Sequence, residues 1–202
     1  MPKFGTIRDA DSYFLSEILP MSTFWVAGGR ALSYYKNVEK KYQDIDLFFD
    51  AEEDIESAVF RLLNNKKMVP EKVIKTKNAY TFKYDGRNDL QLIRKIYGSI
   101  DYIFSSFDMC NVQVAYRYDW GLLHETYNCT PGFLESQAKN EIMLLKVARN
   151  TISRVIKMSA RGYILSDDSL EMIKHLIPYE LNGANALAVE KADEYELLSP
   201  IP

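Results

Sequence analysis

Apolar residues follow two different spacings along the chain. Phe14, Leu15, Ile18 and Leu19 lie at helical spacing behind an Asp-rich stretch, which predicts an amphipathic helix at about residues 9–19. Other apolar runs are rich in β-branched and aromatic residues and lack that spacing, as is typical of strands. Strands are predicted at residues 23–27, 44–49, 69–76, 79–84, 90–94 and 107–116.

Turn and helix signals connect these strands. Gly28-Gly29 ends the first strand, and Asp85-Gly86 supplies hairpin chemistry ahead of the strand at 90–94. Further helices are predicted at residues 30–35, 52–65, 98–105, 130–145, 151–161 and 168–177. The order of elements predicts an α/β (α+β) fold. Residues 1–129 are expected to form a mixed, mostly antiparallel sheet flanked by helices, and residues 130–202 a helical C-terminal part with an acidic tail.

Composition narrows the class of protein. A chain of 202 residues with 47% hydrophobic residues can fill one core and carry a small helical appendage. Its net charge of −3 disfavours a general nucleic-acid coat, although it leaves room for a local basic patch. The first residues carry no secretory signal and no apolar run approaches the length of a membrane span. We therefore expect a cytoplasmic protein with no membrane partner.

The strongest chemical motif is an acidic pair. Asp44 and Asp46 are one residue apart in a predicted strand, so both side chains project from the same face. Such a pair alone is weak support for a metal site, because a solvated strand end has the same pattern. Upstream, Gly28-Gly29 stands at a strand-to-helix turn, where backbone N–H groups can approach a triphosphate. The alternative for these glycines is an ordinary tight turn.

A third acidic residue lies in apolar surroundings. Asp108 is flanked by Phe107, Met109 and Cys110 in the predicted strand at 107–116, where an unpaired buried carboxylate would be costly. The side chain therefore needs a cation or a capping donor. Either a metal ion or an ordinary structural partner would meet that need.

Together these motifs resemble the DNA-polymerase-β-like nucleotidyltransferase superfamily. The resemblance rests on Val26-Ala27-Gly28-Gly29, on Asp44-Ile45-Asp46-Leu47 and on Asp108 as third carboxylate, and covers roughly residues 22–116. It implies that Asp44, Asp46 and Asp108 hold Mg²⁺ (or Mn²⁺), with two ions expected, and that Asp108 deprotonates the acceptor hydroxyl. Asp85, Asp89 and Asp101 stay open as alternatives for the third ligand.

The resemblance also implies a reaction and its partners. A nucleoside monophosphate would pass from a nucleoside triphosphate to a hydroxyl on an RNA 3′ end such as that of tRNA, on a protein or on a small molecule. The alternative is a catalytically inactive protein of the same fold that binds nucleotides or other proteins.

Several cations are candidates for binding phosphate. Arg30 follows the two glycines and Ser33 lies one helical turn further, so both are predicted to contact the triphosphate. Arg154, Lys157 and Arg161 share one face of a predicted helix and form a positive stripe. This stripe is expected to face the cleft, although charged stripes are more often solvated faces.

Overall fold

The computed structural model describes residues 6–38, 44–119, 121–148, 150–174 and 196–198. Its contacts divide the chain into two compact units. Unit 1 contains residues 1–105, 114–128 and 193–202, and unit 2 contains residues 106–113 and 129–192. Unit 2 is thus inserted into the sequence of unit 1, and residues 106–113 belong to it although they precede a strand of unit 1.

Unit 1 is built on a large sheet. Its elements are α1 (Ile7–Ile18), β1 (Thr23–Ala27), α2 (Gly29–Lys36), β2 (Ile45–Phe48), α3 (Glu52–Leu63), β3 (Lys72–Lys75), β4 (Ala79–Lys83), β5 (Leu90–Ile93), α4 (Ile100–Ser105), β6 (Val114–Asp119), β7 (Leu122–Cys129) and, near the end of the chain, β10 (Glu196–Leu198). The eight strands lie in the order β10-β3-β4-β5-β2-β1-β6-β7.

The sheet is mixed because one pair of strands is parallel. Strands β2 and β5 run parallel, whereas β1 pairs antiparallel with β2 and β6, and β4 pairs antiparallel with β3 and β5. Residues on one face are almost wholly buried, and they include Phe24, Val26, Leu47, Phe82 and Leu92. The other face carries the polar positions of β2, β4 and β5.

A buried ion pair ties α1 to α2. Arg30 donates from Nε and Nη2 to the two carboxylate oxygens of Asp11, at 2.5 and 2.9 Å, and Tyr34 donates its hydroxyl to the same carboxylate. Burial acts to lower the pKa of Arg30, but its hydrogen bond to Asp11 and the charge of that residue raise it overall. Burial and the same charge raise the pKa of Tyr34 well above its usual value. This network therefore fixes the first turn of α2 against α1.

Unit 2 combines short helices with a two-stranded sheet. Its elements are a 3-10 helix (Cys110–Val112), α5 (Pro131–Lys139), β8 (Glu141–Ile142), α6 (Thr151–Ser159), β9 (Ile164–Leu165) and α7 (Asp167–Lys174). Thr130 caps α5 by accepting a hydrogen bond from the Phe133 amide, and Pro131 occupies the first turn, as the sequence predicts. Strands β8 and β9 pair in parallel.

The predicted fold class is confirmed. The mixed, mostly antiparallel sheet is present, and the predicted helices are found. The helix predicted at 130–145 is wrong in its last part, because α5 ends at Lys139, where Asn140 adopts a left-handed conformation and β8 follows. The predicted strand at 107–116 is wrong in its first half, because a 3-10 helix occupies that stretch and β6 begins only at Val114. The strands β7, β8, β9 and β10 were not predicted. Residues 175–177 of the last predicted helix and most of the acidic tail lie outside the described residues.

Among the helices that the structure describes, none combines the length and the apolar character needed to span a membrane.

Removal of the buried carboxylate is expected to destabilise unit 1. We expect Asp11→Ala to lower the free energy of unfolding by about 3–5 kcal/mol, because Arg30 would remain buried without its partner. Urea denaturation followed by circular dichroism measures the change. The matched control is Glu53→Ala on the exposed first turn of α3, with an expected change below about 0.5 kcal/mol. Equal stability of the two variants would contradict a structural role for the pair.

Candidate functional site

The turn before α2 has a backbone conformation that suits glycine. Gly28 has a φ of 72° and a ψ of −138°, a backbone conformation that residues with a side chain rarely adopt. A Cβ atom at this position would lie 3.8 Å from Oδ2 of Asp46. The Asp46 carboxylate therefore faces the backbone of the turn directly, and the first amides of α2 follow it in the chain.

The two predicted carboxylates lie on the polar face of the sheet. Asp46 is half-buried within β2, and Asp44 is exposed just before that strand. Gln91 pairs with Asp46 in the parallel register of β2 and β5, and its Nε2 donates a hydrogen bond of 3.0 Å to Oδ2 of Asp44. The structure thus brings Gly28, Asp44 and Asp46 together and adds Gln91, which the sequence did not indicate.

The described residues contain no group of three or more His, Cys, Asp or Glu side chains placed to hold a metal ion. Asp89, one of the alternatives for the third ligand, lies just before β5, and its backbone oxygen accepts a hydrogen bond from the Ile45 amide. Its carboxylate is 2.8 Å from the ammonium group of Lys83. Asp85 and Asp101 are exposed, in a turn and in α4 respectively.

Lys83 supplies a positive charge on the same face. The hydrogen bond from its ammonium group to Asp89, together with the charge of that carboxylate, raises the pKa of Lys83, and the charge of Asp44 adds to the effect. The lysine ammonium is therefore held in its charged form next to the acidic pair.

Asp108 has its own structural partners, and its assignment as third carboxylate stays a prediction. It belongs to unit 2, is 2% exposed and precedes the 3-10 helix. Thr151 donates its hydroxyl to one carboxylate oxygen at 3.0 Å, and Arg154 donates to the other at 2.7 Å. The backbone oxygen of Asp108 accepts a hydrogen bond from the Leu145 amide. The carboxylate that needed a cation or a cap has both within unit 2, so its structural contacts explain its burial.

The expected triphosphate contacts from α2 are occupied by other partners. Arg30 is 2% exposed, and its bidentate pairing with Asp11 directs it into the protein interior. Ser33 is buried and donates its hydroxyl to the backbone oxygen of Gly29 at 3.3 Å. Both side chains stabilise α2 and its start, and neither placement favours contact with a phosphate.

The cations of the predicted positive stripe lie on α6 (Arg154 and Lys157) and just after it (Arg161), and their position at a cleft stays a prediction. Arg154 is paired with Asp108, while Lys157 is exposed. Arg161 is half-buried, and burial lowers its pKa. The three cations therefore have three different surroundings within unit 2.

Solved structures with a similar fold are tRNA-processing nucleotidyltransferases. The chain is similar to the Thermotoga maritima CCA-adding enzyme complexed with tRNA, with 16% sequence identity, a TM-score of 0.55, and coverage of 83% of this chain and 40% of that one. It is also similar to a tRNA nucleotidyltransferase complexed with a primer tRNA and an incoming ATP analog, with 14% identity, a TM-score of 0.58, and coverage of 84% and 50%.

A third similar structure is a tRNA-processing enzyme with CTP, with 15% identity, a TM-score of 0.58, and coverage of 84% of this chain and 47% of that one. The chain thus spans about half or less of the length of these enzymes, and at this identity the likeness shows the fold alone.

A comparison with curated proteins gives no match. A comparison with protein-family models matches residues 4–140 to the family described as Gabija anti-defense 2 (Gad2) family protein. That match covers more than half of the 202 residues. The protein, which has a nucleotidyltransferase-like fold, therefore belongs to the Gabija anti-defense 2 family.

Proposed function

We propose that this protein is a metal-dependent nucleotidyltransferase that moves a nucleoside monophosphate from a nucleoside triphosphate to a hydroxyl acceptor. The observation that carries the proposal is the position of the Asp46 carboxylate against the Gly28 turn. A metal-binding group and a phosphate-binding backbone then lie side by side, as nucleotidyl transfer requires.

The donor set fits a hard divalent cation. The carboxylates of Asp44 and Asp46 provide the oxygen ligands that Mg²⁺ (or Mn²⁺) prefers. When bound, the metal would neutralise phosphate charge and favour the in-line displacement at the α-phosphorus. Gln91 holds Asp44 in place through its amide. We propose that two ions bind. Oxygens of the triphosphate would provide the ligands that the two carboxylates do not.

The glycine turn would hold the triphosphate. Because Gly28 has no side chain, phosphate oxygens can approach the backbone N–H groups that begin α2, and the partial positive charge at the start of a helix favours an anion there. The Asp46 carboxylate faces this same position, so a metal ion held by Asp46 would supply positive charge near the triphosphate. Bulk at position 28 would separate them.

The family and the fold suggest different parts of the biological role. The family's name points to action against the Gabija defence, and the similar solved enzymes are complexed with tRNA, ATP analogs or CTP. We propose that nucleotidyl transfer serves the anti-defence role. The acceptor hydroxyl would belong to an RNA 3′ end, a protein or a small molecule.

One observation favours a second candidate function. Gln91, a neutral side chain, stands beside Asp46, and among the described residues no group of three or more His, Cys, Asp or Glu side chains is placed to hold a metal ion. An inactive protein of this fold would bind a nucleotide or another protein through the same surface without transferring anything. Retention of both Asp44 and Asp46 next to the glycine turn supports the enzyme over this alternative.

Loss of either carboxylate of the acidic pair is expected to abolish transfer without unfolding the protein. Asp44→Asn and Asp46→Asn each remove a metal-binding charge from a position that is exposed or half-buried. Transfer of label from each α-³²P nucleoside triphosphate into RNA, protein and small-molecule fractions measures activity. Asp108→Asn should instead lower the melting temperature, because it weakens the contacts of a buried carboxylate with Thr151 and with the half-exposed Arg154. Wild-type transfer by both variants of the acidic pair would refute the metal site.

A third carboxylate next to the pair is expected to strengthen metal binding. Gln91→Glu should tighten Mn²⁺ binding by about 10-fold or more, because it adds negative charge beside Asp46. Electron paramagnetic resonance of free Mn²⁺ measures the affinity. The matched control is Thr81→Glu, which adds the same charge one strand further from Asp46.

The same variant separates the two candidate functions. If the wild-type protein binds Mn²⁺ and a triphosphate but transfers no label, while Gln91→Glu gains transfer, the native protein is the binding module. If the wild-type protein transfers label, it is the enzyme. Equal Mn²⁺ affinity of the wild-type protein and both variants would place the metal elsewhere.

A further inference from the structure

Positive charge is concentrated in one segment of this acidic protein. Nine of the 25 Lys and Arg residues lie between Lys66 and Lys95, where only three of the 28 Asp and Glu residues occur. This segment contains β3, β4 and β5, the strands next to β2 on the side away from β1. These three strands therefore carry a local positive charge beside the candidate site.

Several of these cations are engaged by aromatic rings. Lys75 and Arg94 both contact the ring of Tyr80, at 5.8 and 5.1 Å from its centroid, and Tyr80 alternates with Thr81 onto the opposite face of β4. Arg87 lies over the ring of Phe14, a buried residue of α1. These three cations are therefore accounted for by packing away from the face that carries Asp46.

Among the other cations, Lys72 and Lys83 lie on the face of the candidate site. Gln91 pairs with Asp46 and with Thr81, and Thr81 and Lys83 share a face of β4 because they are two residues apart. Lys72 is the cross-strand partner of Lys83. With neighbouring strands about 4.8 Å apart, Lys83 lies about 10 Å and Lys72 about 14 Å across the sheet from β2.

These two lysines are available to a ligand. The Lys83 side chain is 44% exposed although it touches Asp89. Lys72 is exposed, and its side chain forms no hydrogen bond or ion pair within the part of the chain that the structure describes. The face thus presents carboxylates at β2 and a strip of positive charge at β4 and β3, which we call the lysine strip (Lys72 and Lys83).

We propose that the lysine strip binds the phosphodiester backbone of a single-stranded nucleic-acid acceptor whose terminal hydroxyl lies at Asp44 and Asp46. A phosphodiester chain carries negative charges at short regular intervals and ends in a hydroxyl, so it matches a site in which cations lead towards a metal-binding pair. An acidic protein segment would instead bring its carboxylates next to Asp44, Asp46 and Asp89 and be repelled there. This inference rests on the proposed transferase function and selects among its acceptors.

Binding of a short RNA tests the lysine strip. Fluorescence anisotropy with a 12-nucleotide single-stranded RNA of mixed sequence compares the wild-type protein with Lys72→Gln/Lys83→Gln at several salt concentrations. We expect the dissociation constant to rise about 10-fold at low salt, and the slope of log K against log salt to shrink by about 1.4, since each lost phosphate contact on a single strand contributes about 0.7. Lys139→Gln/Lys174→Gln, two exposed lysines of unit 2, is the matched control and should bind as the wild-type protein does.

Two further measurements identify the ligand and guard against a folding defect. Calorimetry with Mg²⁺ and a non-hydrolysable ATP analogue should give the same affinity for both proteins within about 2-fold, because the triphosphate is expected at Gly28 and not on the strip. Lys72→Gln alone, which leaves the Lys83–Asp89 pair intact, should show about half of the change in slope.

Four outcomes would overturn the proposal: no RNA binding by the wild-type protein, unchanged RNA binding by the double variant, an equal loss of binding to a polyglutamate 12-mer, or a loss confined to the ATP analogue. The last outcome would assign the lysines to the triphosphate, and the polyglutamate outcome would indicate a protein partner. The proposed function is tested separately, with Asp44→Asn and Asp46→Asn. If these variants bind Mg²⁺ and the ATP analogue more weakly than the wild-type protein, the proposed function stands whatever the RNA result. If they bind as the wild-type protein does, the proposed function fails.

Discussion

The parallel pairing of β2 with β5 decides which side chains meet at the candidate site. In a sheet whose other described pairings are antiparallel, this pair places Gln91 beside Asp46 and the start of β5 beside Asp44. The crossover from β2 to β5 runs through α3 and the hairpin of β3 and β4, and it delivers that hairpin to the same sheet. The lysines of β3 and β4 therefore owe their position relative to the acidic pair to this one pairing.

The other determinant is the buried charge beneath the glycine turn. Arg30 follows Gly29 and is held by Asp11 and Tyr34, so the start of α2 is fixed from below by α1. Burial of an ion pair carries a desolvation penalty, but removal of one partner destabilises the fold further because it leaves the other charge buried and unpaired. The backbone of the turn is thus fixed by groups that do not touch a ligand themselves, and the Asp46 carboxylate meets a rigid surface.

Local features of the site could be predicted from the sequence, whereas long-range partners could not. The glycine turn and the alternation of Asp44 and Asp46 follow from short-range geometry, so the structure brings these residues together as expected. Arg30 looks the same in sequence whether it binds a phosphate or Asp11, which is 19 residues away. Its burial depends on how α1 packs, and no local pattern encodes that packing.

The remaining differences have similar causes. The apolar neighbours of Asp108 indicated a strand, but Thr151 and Arg154, more than 40 residues later, satisfy its carboxylate and hold that segment in unit 2. A glutamine such as Gln91 is not a typical metal ligand or catalytic residue, so the sequence did not indicate it. Only the parallel register of β2 and β5 places it beside Asp46. Lys83 likewise stands out only once its strand is known to share a face with Asp46.

The last described strand has a consequence for how the protein is made. Strand β10 (Glu196–Leu198) pairs antiparallel with β3, so the sheet order places it at the outer edge although it is translated more than 100 residues after β5. During synthesis the hydrogen-bonding edge of β3 stays open until residue 198 has left the ribosome. An open strand edge is prone to pair with other chains, and closing contacts so distant in sequence is slow. Synthesis of this protein therefore has a vulnerable interval, set by its topology, in which the edge of β3 is exposed while the residues of unit 2 are still being made.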